Sequence, residues 1–172
     1  MTPILGIWAS QISGHLWAPA GAYDALATVT VPSGGAATVE FAGIPTGYKH
    51  LQLRAIVQNE AASNSSGWLQ ARVNGDTSSN YTYHFLSGGG SGSATAAGAA
   101  NQSAMLLGDS VNNGAGSSTF APMVLDILDY ADTNKYKTFR SLTGVDTNSW
   151  GEIYLTSGLW RSTSAITSIS FY

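Results

Sequence analysis

The chain has 172 residues, of which 44% are hydrophobic and only 10% are charged, with 20 glycines and no cysteine. This length suits one compact domain, and small residues in place of charged ones favour strands and turns over surface helices. A net charge of −3 leaves no surplus of cations for phosphates, which argues against nucleic acid as a partner. Without cysteine, disulfides and thiolate chemistry are excluded.

The stretch before Asp24 has no charged side chain, so we considered a secretory signal and a membrane span. A signal needs a basic flank, and a span needs about 20 mainly apolar residues, whereas prolines, glycines and polar residues interrupt this stretch. No membrane insertion is therefore predicted.

The first predicted strands are short runs rich in β-branched residues. Residues 24–31 and 37–44 flank a Pro-Ser-Gly-Gly turn and predict a hairpin. Residues 48–58 alternate between apolar and polar side chains, which predicts a strand with one buried face. Residues 59–66 lack such a period and predict a loop.

The strongest local signal is the pair Asn74-Gly75, which is typical of a type I′ turn. It predicts a hairpin between residues 67–73 and residues 80–86. Residues 87–100 (SGGGSGSATAAGAA) have little side-chain surface to offset the entropy of ordering, so they predict a flexible loop within the domain.

The second half continues the same pattern of apolar runs and turns. Residues 120–130 and 136–143 predict a hairpin across 131–134, and the run MVLDILDY predicts a central strand that is covered on both faces. Three further strands are predicted at residues 102–107, 150–156 and 165–172.

About nine strands without a helical period predict an all-β fold, an antiparallel β-sandwich of jelly-roll type. The sandwich is expected at residues 24–172, after an extended N-terminal arm at residues 1–23.

The residues with catalytic or metal-binding potential do not form a recognisable motif. His15, His50 and His84 fit no paired-ligand spacing, and the alternation of a strand points Asp126 and Asp129 to opposite faces. We therefore predict no catalytic residue, no metal site and no cofactor, and we do not expect an enzyme.

Aromatic residues on or beside alternating strands are candidates for contact with a sugar or a partner protein. These residues are Trp68, Tyr81, Tyr83, Trp150 and Tyr154. The alternative is that they fill the sandwich core or a subunit interface, where Trp and Tyr are common.

Two segments resemble bacteriophage proteins. Residues 3–17 (PILGIWASQISGHLW) resemble the motif P-I-x-G-I-x-A-S that begins many tail, fibre and other virion proteins of tailed bacteriophages. Residues 73–92 (VNGDTSSNYTYHFLSGGGSG) are similar to the hairpin and Gly-rich loop of a jelly-roll-like domain in the same class of proteins. The resemblance implies a structural component of a virion, in the tail, in a fibre or on the capsid surface.

The arm is predicted to dock onto another virion protein through its large apolar residues. These anchors are Ile4, Leu5, Ile7, Trp8, Ile12, Leu16 and Trp17. The alternative is that the arm packs along its own sandwich as an extra edge strand.

Two further expectations concern partners. Low charge and exposed sheet edges predict a homo-oligomer, and a trimer is the favoured form because trimers are common among phage fibres. Related domains usually add a last aromatic strand after a run like AITSISFY, so either the fold closes differently or a neighbouring subunit supplies that edge.

The alternative function is a carbohydrate-binding module that recognises a glycan on the host surface.

Overall fold

The structure is a computed structural model that describes residues 23–62, 65–90, 92–116, 118–147 and 149–172. The seven anchor residues of the arm and His15 lie outside the described residues. In the described ranges there is no α-helix and no helix with the length and hydropathy of a membrane span.

Ten strands and one short 3-10 turn make up the described secondary structure. The strands are β1 (Val39–Ala42), β2 (His50–Asn59), β3 (Ser66–Val73), β4 (Tyr81–Gly89), β5 (Thr95–Gln102), β6 (Met105–Asn112), β7 (Ala121–Leu128), β8 (Lys137–Asp146), β9 (Gly151–Trp160) and β10 (Ser168–Phe171), and the 3-10 turn (Asn113–Ala115) follows β6.

The strands form two antiparallel layers. A smaller sheet has the order β1-β10-β3-β6, and a larger sheet has the order β2-β7-β8-β9-β4-β5. The two layers join where the end of β2 runs parallel to β6, with Gln58 opposite Val111 and Asn59 opposite Asn112. The predicted all-β sandwich is confirmed.

The strand order is that of a jelly roll with one hairpin added. When β7 and β8 are set aside, the remaining eight strands read first-eighth-third-sixth in one sheet and second-seventh-fourth-fifth in the other, which is the jelly-roll order. The extra hairpin lies between β2 and β9 and widens the larger sheet to six strands. The last strand, β10, pairs on both sides within the chain, with β1 and β3.

The core lies between the two sheets. The smaller sheet contributes Leu69, Ala71, Met105 and Phe171 among others, and the larger sheet contributes Tyr81, Tyr83, Leu125, Phe139 and Trp160. Alternation sends every second side chain of most strands into this layer, whereas β6 is buried along its whole length. Most of the buried side chains are apolar.

A carboxylate joins the ends of the two sheets. Asp76, in the turn after β3, accepts hydrogen bonds from Trp160 Nε1 at 2.7 Å, Asn80 Nδ2 at 3.0 Å and Ser78 N at 2.8 Å. Burial by itself would raise the pKa of Asp76, but the hydrogen bonds from Asn80, Trp160 and Ser78 outweigh it and lower that pKa to about 2. We call these four residues the Asp76 clamp.

The predicted hairpin at Asn74-Gly75 is half right. The turn is present: Asn74 and Gly75 have φ of 53° and 64°, and Asp76 N donates a hydrogen bond to Val73 O at 3.0 Å. The prediction that the two flanking strands pair with each other is wrong, since β3 pairs with β6 and β10 whereas β4 pairs with β5 and β9. The chain crosses from one sheet to the other here, and the Asp76 clamp secures the crossing.

The predicted flexible loop at residues 87–100 is also wrong. Its first residues extend β4 to Gly89, and from Thr95 onward the chain forms β5 at the edge of the larger sheet. Small residues are needed there, because a Cβ at position 98 would lie 2.7 Å from Tyr83 O and 2.4 Å from the His84 ring. Ladder hydrogen bonds to β4 supply the order that the side chains cannot.

Residues 24–31 form no strand, which corrects the first predicted hairpin. They are exposed, and β1 pairs with β10 instead, where Phe41 and Phe171 meet edge to face at 6.2 Å. The turn that was predicted between the two runs does form, with Gly35 N donating to Pro32 O at 3.1 Å.

The predicted β7–β8 hairpin is confirmed, with Met123 opposite Thr143 and Leu128 opposite Thr138. Lys135 stabilises its turn by pairing with Asp129 at 2.7 Å and with Asp132 at 3.4 Å. The prediction that both faces of β7 are covered is wrong, because Leu128 on the outer face is 47% exposed.

Candidate functional site: the outer face of the larger sheet

The larger sheet carries large aliphatic side chains on the face that points away from the core. Val124, Leu142 and Leu155 are opposite one another on β7, β8 and β9, and Leu86 continues the row on β4. Ile56 on β2 and Ile153 on β9 extend the set, and Ile56 is 76% exposed. We call these residues the apolar patch: Ile56, Leu86, Val124, Leu142, Ile153 and Leu155.

A shallow hollow lies within the patch. Gly144 on β8 has no side chain to fill the space beside Pro122 and Ile153, which leaves a volume of about 190 Å³. The lining is almost entirely apolar, so it offers no polar groups to orient a small polar substrate. This geometry suits a protruding apolar side chain of a partner.

A row of polar side chains borders the patch on one side. Gln52 Nε2 donates to Asp126 Oδ1 at 2.8 Å, and Arg140 Nη2 lies 3.4 Å from Asp126 Oδ2. Arg54 Nε donates to Gln52 Oε1 at 2.8 Å, and Arg54 is directly opposite Val124 of the patch, so the polar row reaches the patch at β2. Because these groups are largely in contact with water, their pairing orders the border more than it stabilises the fold.

The first described residue lies on this same face. The Arg54 guanidinium carbon is 5.4 Å from the centre of the Tyr23 ring, which is a cation-π distance. Gln52 Nε2 is 3.4 Å from Tyr23 Oη. The chain therefore reaches the folded domain beside the apolar patch.

The five aromatic candidates lie in different environments. Tyr81, Tyr83 and Tyr154 are buried in the sandwich, and the Tyr81 hydroxyl donates to Asp76 O at 3.1 Å. Trp150 is half-buried, whereas Trp68 is 61% exposed. Burial leaves the three tyrosines no surface for a sugar, and Trp68 is the member of the set with an open ring face.

His50, His84 and Asp129 have local structural roles. His50 Nδ1 accepts a hydrogen bond from Asp129 N at 3.0 Å, and the His84 ring lies against Gly98. The hydrogen bond from Lys135 lowers the pKa of Asp129. Among the described residues, no cluster of three or more His, Cys, Asp or Glu side chains could hold a metal ion.

A buried lysine is also held by the fold. Lys137 is almost fully buried, and its Nζ donates to the carbonyl oxygens of Asp132, Lys135 and Thr163. Burial lowers the pKa of Lys137, and the carbonyl oxygens satisfy all three of its N–H groups. The lysine thereby ties the β7–β8 turn to the segment after β9.

One buried carboxylate was missed by the sequence analysis. Asp109 on β6 is only 4% exposed, accepts a hydrogen bond from Ser66 Oγ, and donates from its backbone N to Thr143 Oγ1 at 3.1 Å. Burial raises its pKa to about 6 despite the hydrogen bond from Ser66, and the Glu152 charge adds to the rise. The signal in the sequence is a lone carboxylate in the apolar run MLLGDSV.

We expect Asp109→Asn to stabilise the protein at pH 7.5 by about 1–2 kcal/mol. Between pH 3.8 and about 6 the folded state binds more protons at Asp109 than the unfolded state, so stability falls as pH rises through this window. Asparagine removes the buried charge, so the gain should vanish near pH 4. Urea unfolding at both pH values is the measurement.

The matched control is Glu40→Gln, which neutralises an exposed carboxylate on β1 and should change stability little at either pH. A variant Asp109→Asn that is no more stable than the natural protein at pH 7.5 would contradict a buried charge at this position.

The apolar patch was not predicted from the sequence either. The double-sided apolar character of MVLDILDY was its signal, and it was interpreted as a strand with cover on both faces. No family model, no curated protein and no solved structure matches this chain, so its function is argued from these surfaces and from the arm.

Proposed function

We propose that the protein is a structural component of a bacteriophage virion, located in the tail, in a fibre or on the capsid surface. In this proposal the arm docks onto another virion protein and the sandwich is displayed on the particle. The observation that carries the proposal is the arm motif at residues 3–17, whose resemblance to virion proteins is joined to a jelly-roll sandwich.

The geometry of the sandwich supports a structural role over a catalytic one. The larger sheet presents an apolar patch, and the hollow within it lacks the convergent polar groups of a typical substrate pocket. Asp109 and Lys137 are both buried, Asp109 Oδ2 accepts a hydrogen bond from Ser66, and Lys137 Nζ donates to three carbonyl oxygens. We accordingly propose that the protein is not an enzyme and needs no cofactor.

A homo-oligomer, with a trimer as the favoured form, belongs to the same proposal. The support is the outer edge of β5, which pairs only with β4 among the described strands and whose residues 95–102 are mostly small and exposed. An edge strand with mostly small side chains and no charge is a template for pairing with another copy.

We expect the double substitution Ile7→Ser and Trp8→Ser in the full chain to reduce incorporation into virions by about tenfold or more. Trp8 is the largest apolar side chain in the first half of the motif and Ile7 is its apolar neighbour, so the two serines remove surface that a partner would bury. Incorporation is measured by quantitative mass spectrometry of purified particles, and circular dichroism checks the fold.

The control is Gln11→Ser, a change at a polar position of the same arm, which should incorporate normally. Normal incorporation of the double variant would count against the arm as the attachment segment.

The alternative function is a carbohydrate-binding module that contacts a host glycan. Its specific support is Trp68, whose ring is exposed on β3 and could stack on a sugar. Binding of host surface polysaccharide to the purified protein would favour this alternative, and a fibre tip could combine both roles.

A further inference from the structure

The apolar patch is a surface without cover in the described part of the chain. Its aliphatic side chains are neighbours across five strands, and continuous apolar faces of this kind mark interaction sites. None of its members is charged, and charged side chains begin at Arg54 and at the Asp126 row. The partner that fits is therefore an apolar and uncharged segment.

The start of the described chain lies next to the patch. Tyr23 stacks on Arg54, and Arg54 is directly opposite Val124, a member of the patch. Residue 22 therefore continues the chain from the border of the patch, and the tether gives residues 1–22 a high local concentration there.

The length of the arm is sufficient to cross the patch. Strands are spaced by about 4.8 Å, so the four spacings from β2 to β4 amount to about 19 Å. An extended chain covers about 3.3 Å per residue, so about six residues span that distance. Residues 1–22 can therefore cover the patch with many residues left over.

The composition of the arm fits the same surface. Residues 1–22 contain no Lys, Arg, Asp or Glu, and seven large apolar side chains lie between Ile4 and Trp17. Such a segment gains by leaving water and brings no charge that the patch would have to desolvate. The hollow beside Gly144 can receive one of its large side chains.

We propose that residues 3–17 of the arm bind the apolar patch of the same chain when the protein is free. This differs from an extra edge strand, because the arm lies on the face of the larger sheet and not along its edge. The inference does not depend on the virion assignment. If the arm binds a virion partner, the patch becomes exposed, so partner and patch compete for the same segment.

The absence of cysteine in the chain permits a direct test by thiol labelling. Leu142→Cys places a single thiol in the centre of the patch, and the full chain is compared with and without Ile7→Ser, Trp8→Ser and Trp17→Ser in its arm. With the natural arm, we expect labelling to be slower by about tenfold or more than with the serine-substituted arm, at every protein concentration.

Ala42→Cys is the control, because Ala42 is exposed on β1 of the smaller sheet and should label at one rate with either arm. Equal rates for Leu142→Cys with both arms would overturn the proposal. Protection that persists with the serine-substituted arm, or that appears only at high protein concentration, would overturn it in favour of a second copy on the patch. The labelling experiment uses isolated protein, so equal labelling rates would contradict binding of the arm to the patch but would not bear on the virion assignment. The virion assignment is tested separately by incorporation into particles.

Discussion

Replacing Gly158 with alanine should abolish stable folding, with a loss of at least about 4 kcal/mol. A Cβ at this position would lie 2.0 Å from Phe139 Cζ and 2.6 Å from Thr82 O. Phe139 is buried in the core and Thr82 O belongs to the backbone of β4, so neither atom can move far. Urea unfolding, together with the yield of soluble protein, measures the effect.

Gly144→Ala is the matched control for Gly158→Ala in the same sheet. Its Cβ would lie 3.5 Å from Ile153 Cγ1, an ordinary contact, so stability should change by no more than about 0.5 kcal/mol. Because Gly158→Ala is expected to be insoluble, the double variant Gly158→Ala with Phe139→Leu should recover part of the soluble yield. Normal stability of Gly158→Ala would show that the Phe139 ring does not lie over this glycine.

Asp76→Ala should be the most damaging change of a carboxylate among the described residues, with a loss of about 3–4 kcal/mol at pH 7. It removes the acceptor for Trp160, whose indole is 3% exposed and whose N–H would have no partner in a buried site. It also releases Asn80 and Ser78, which hold the crossing between the two sheets. Urea unfolding followed by circular dichroism gives the loss.

The pH dependence distinguishes the Asp76 clamp from a purely steric effect. The pKa of Asp76 is about 2 in the folded state and 3.8 in its ordinary state, so its stabilisation is complete above about pH 4 and is lost as pH falls toward 2. Asp76→Asn should lose part of the stability and flatten this acid limb. An unchanged acid limb in Asp76→Asn would contradict the clamp.

Local signals predicted the local parts of this fold well. The β7–β8 hairpin and the turn at Asn74-Gly75 depend on residues close in sequence, and both form as expected. The membership of β3 and β4 in different sheets depends on partners far along the chain, such as the bond from Trp160 to Asp76 across 84 positions. Such pairing is decided by the whole fold and leaves no trace in a short window.

The edge strand β5 and the candidate site were missed for related reasons. The Gly and Ala residues of β5 have low strand propensity, so their sequence does not indicate a strand. Position 98 must stay small because His84 and Tyr83 lie beside it on β4, and this contact is seen only in the folded structure. The run at residues 123–130 has apolar side chains on both faces of its strand, but whether a face is covered depends on the layers around it. In a jelly roll widened by one hairpin, the smaller sheet covers the inner face only.

The pairing of the first and last strands determines how the domain would carry a mechanical load. Val39 begins β1 directly opposite Phe171 at the end of β10, so these two strand ends lie side by side at one corner of the smaller sheet. A force that pulls Val39 away from Phe171 would break the hydrogen bonds between β1 and β10 one after another and not all together, so a low force would be sufficient. A force applied along β2 would instead act on a strand held to β7 along eight residue pairs, which would share the load.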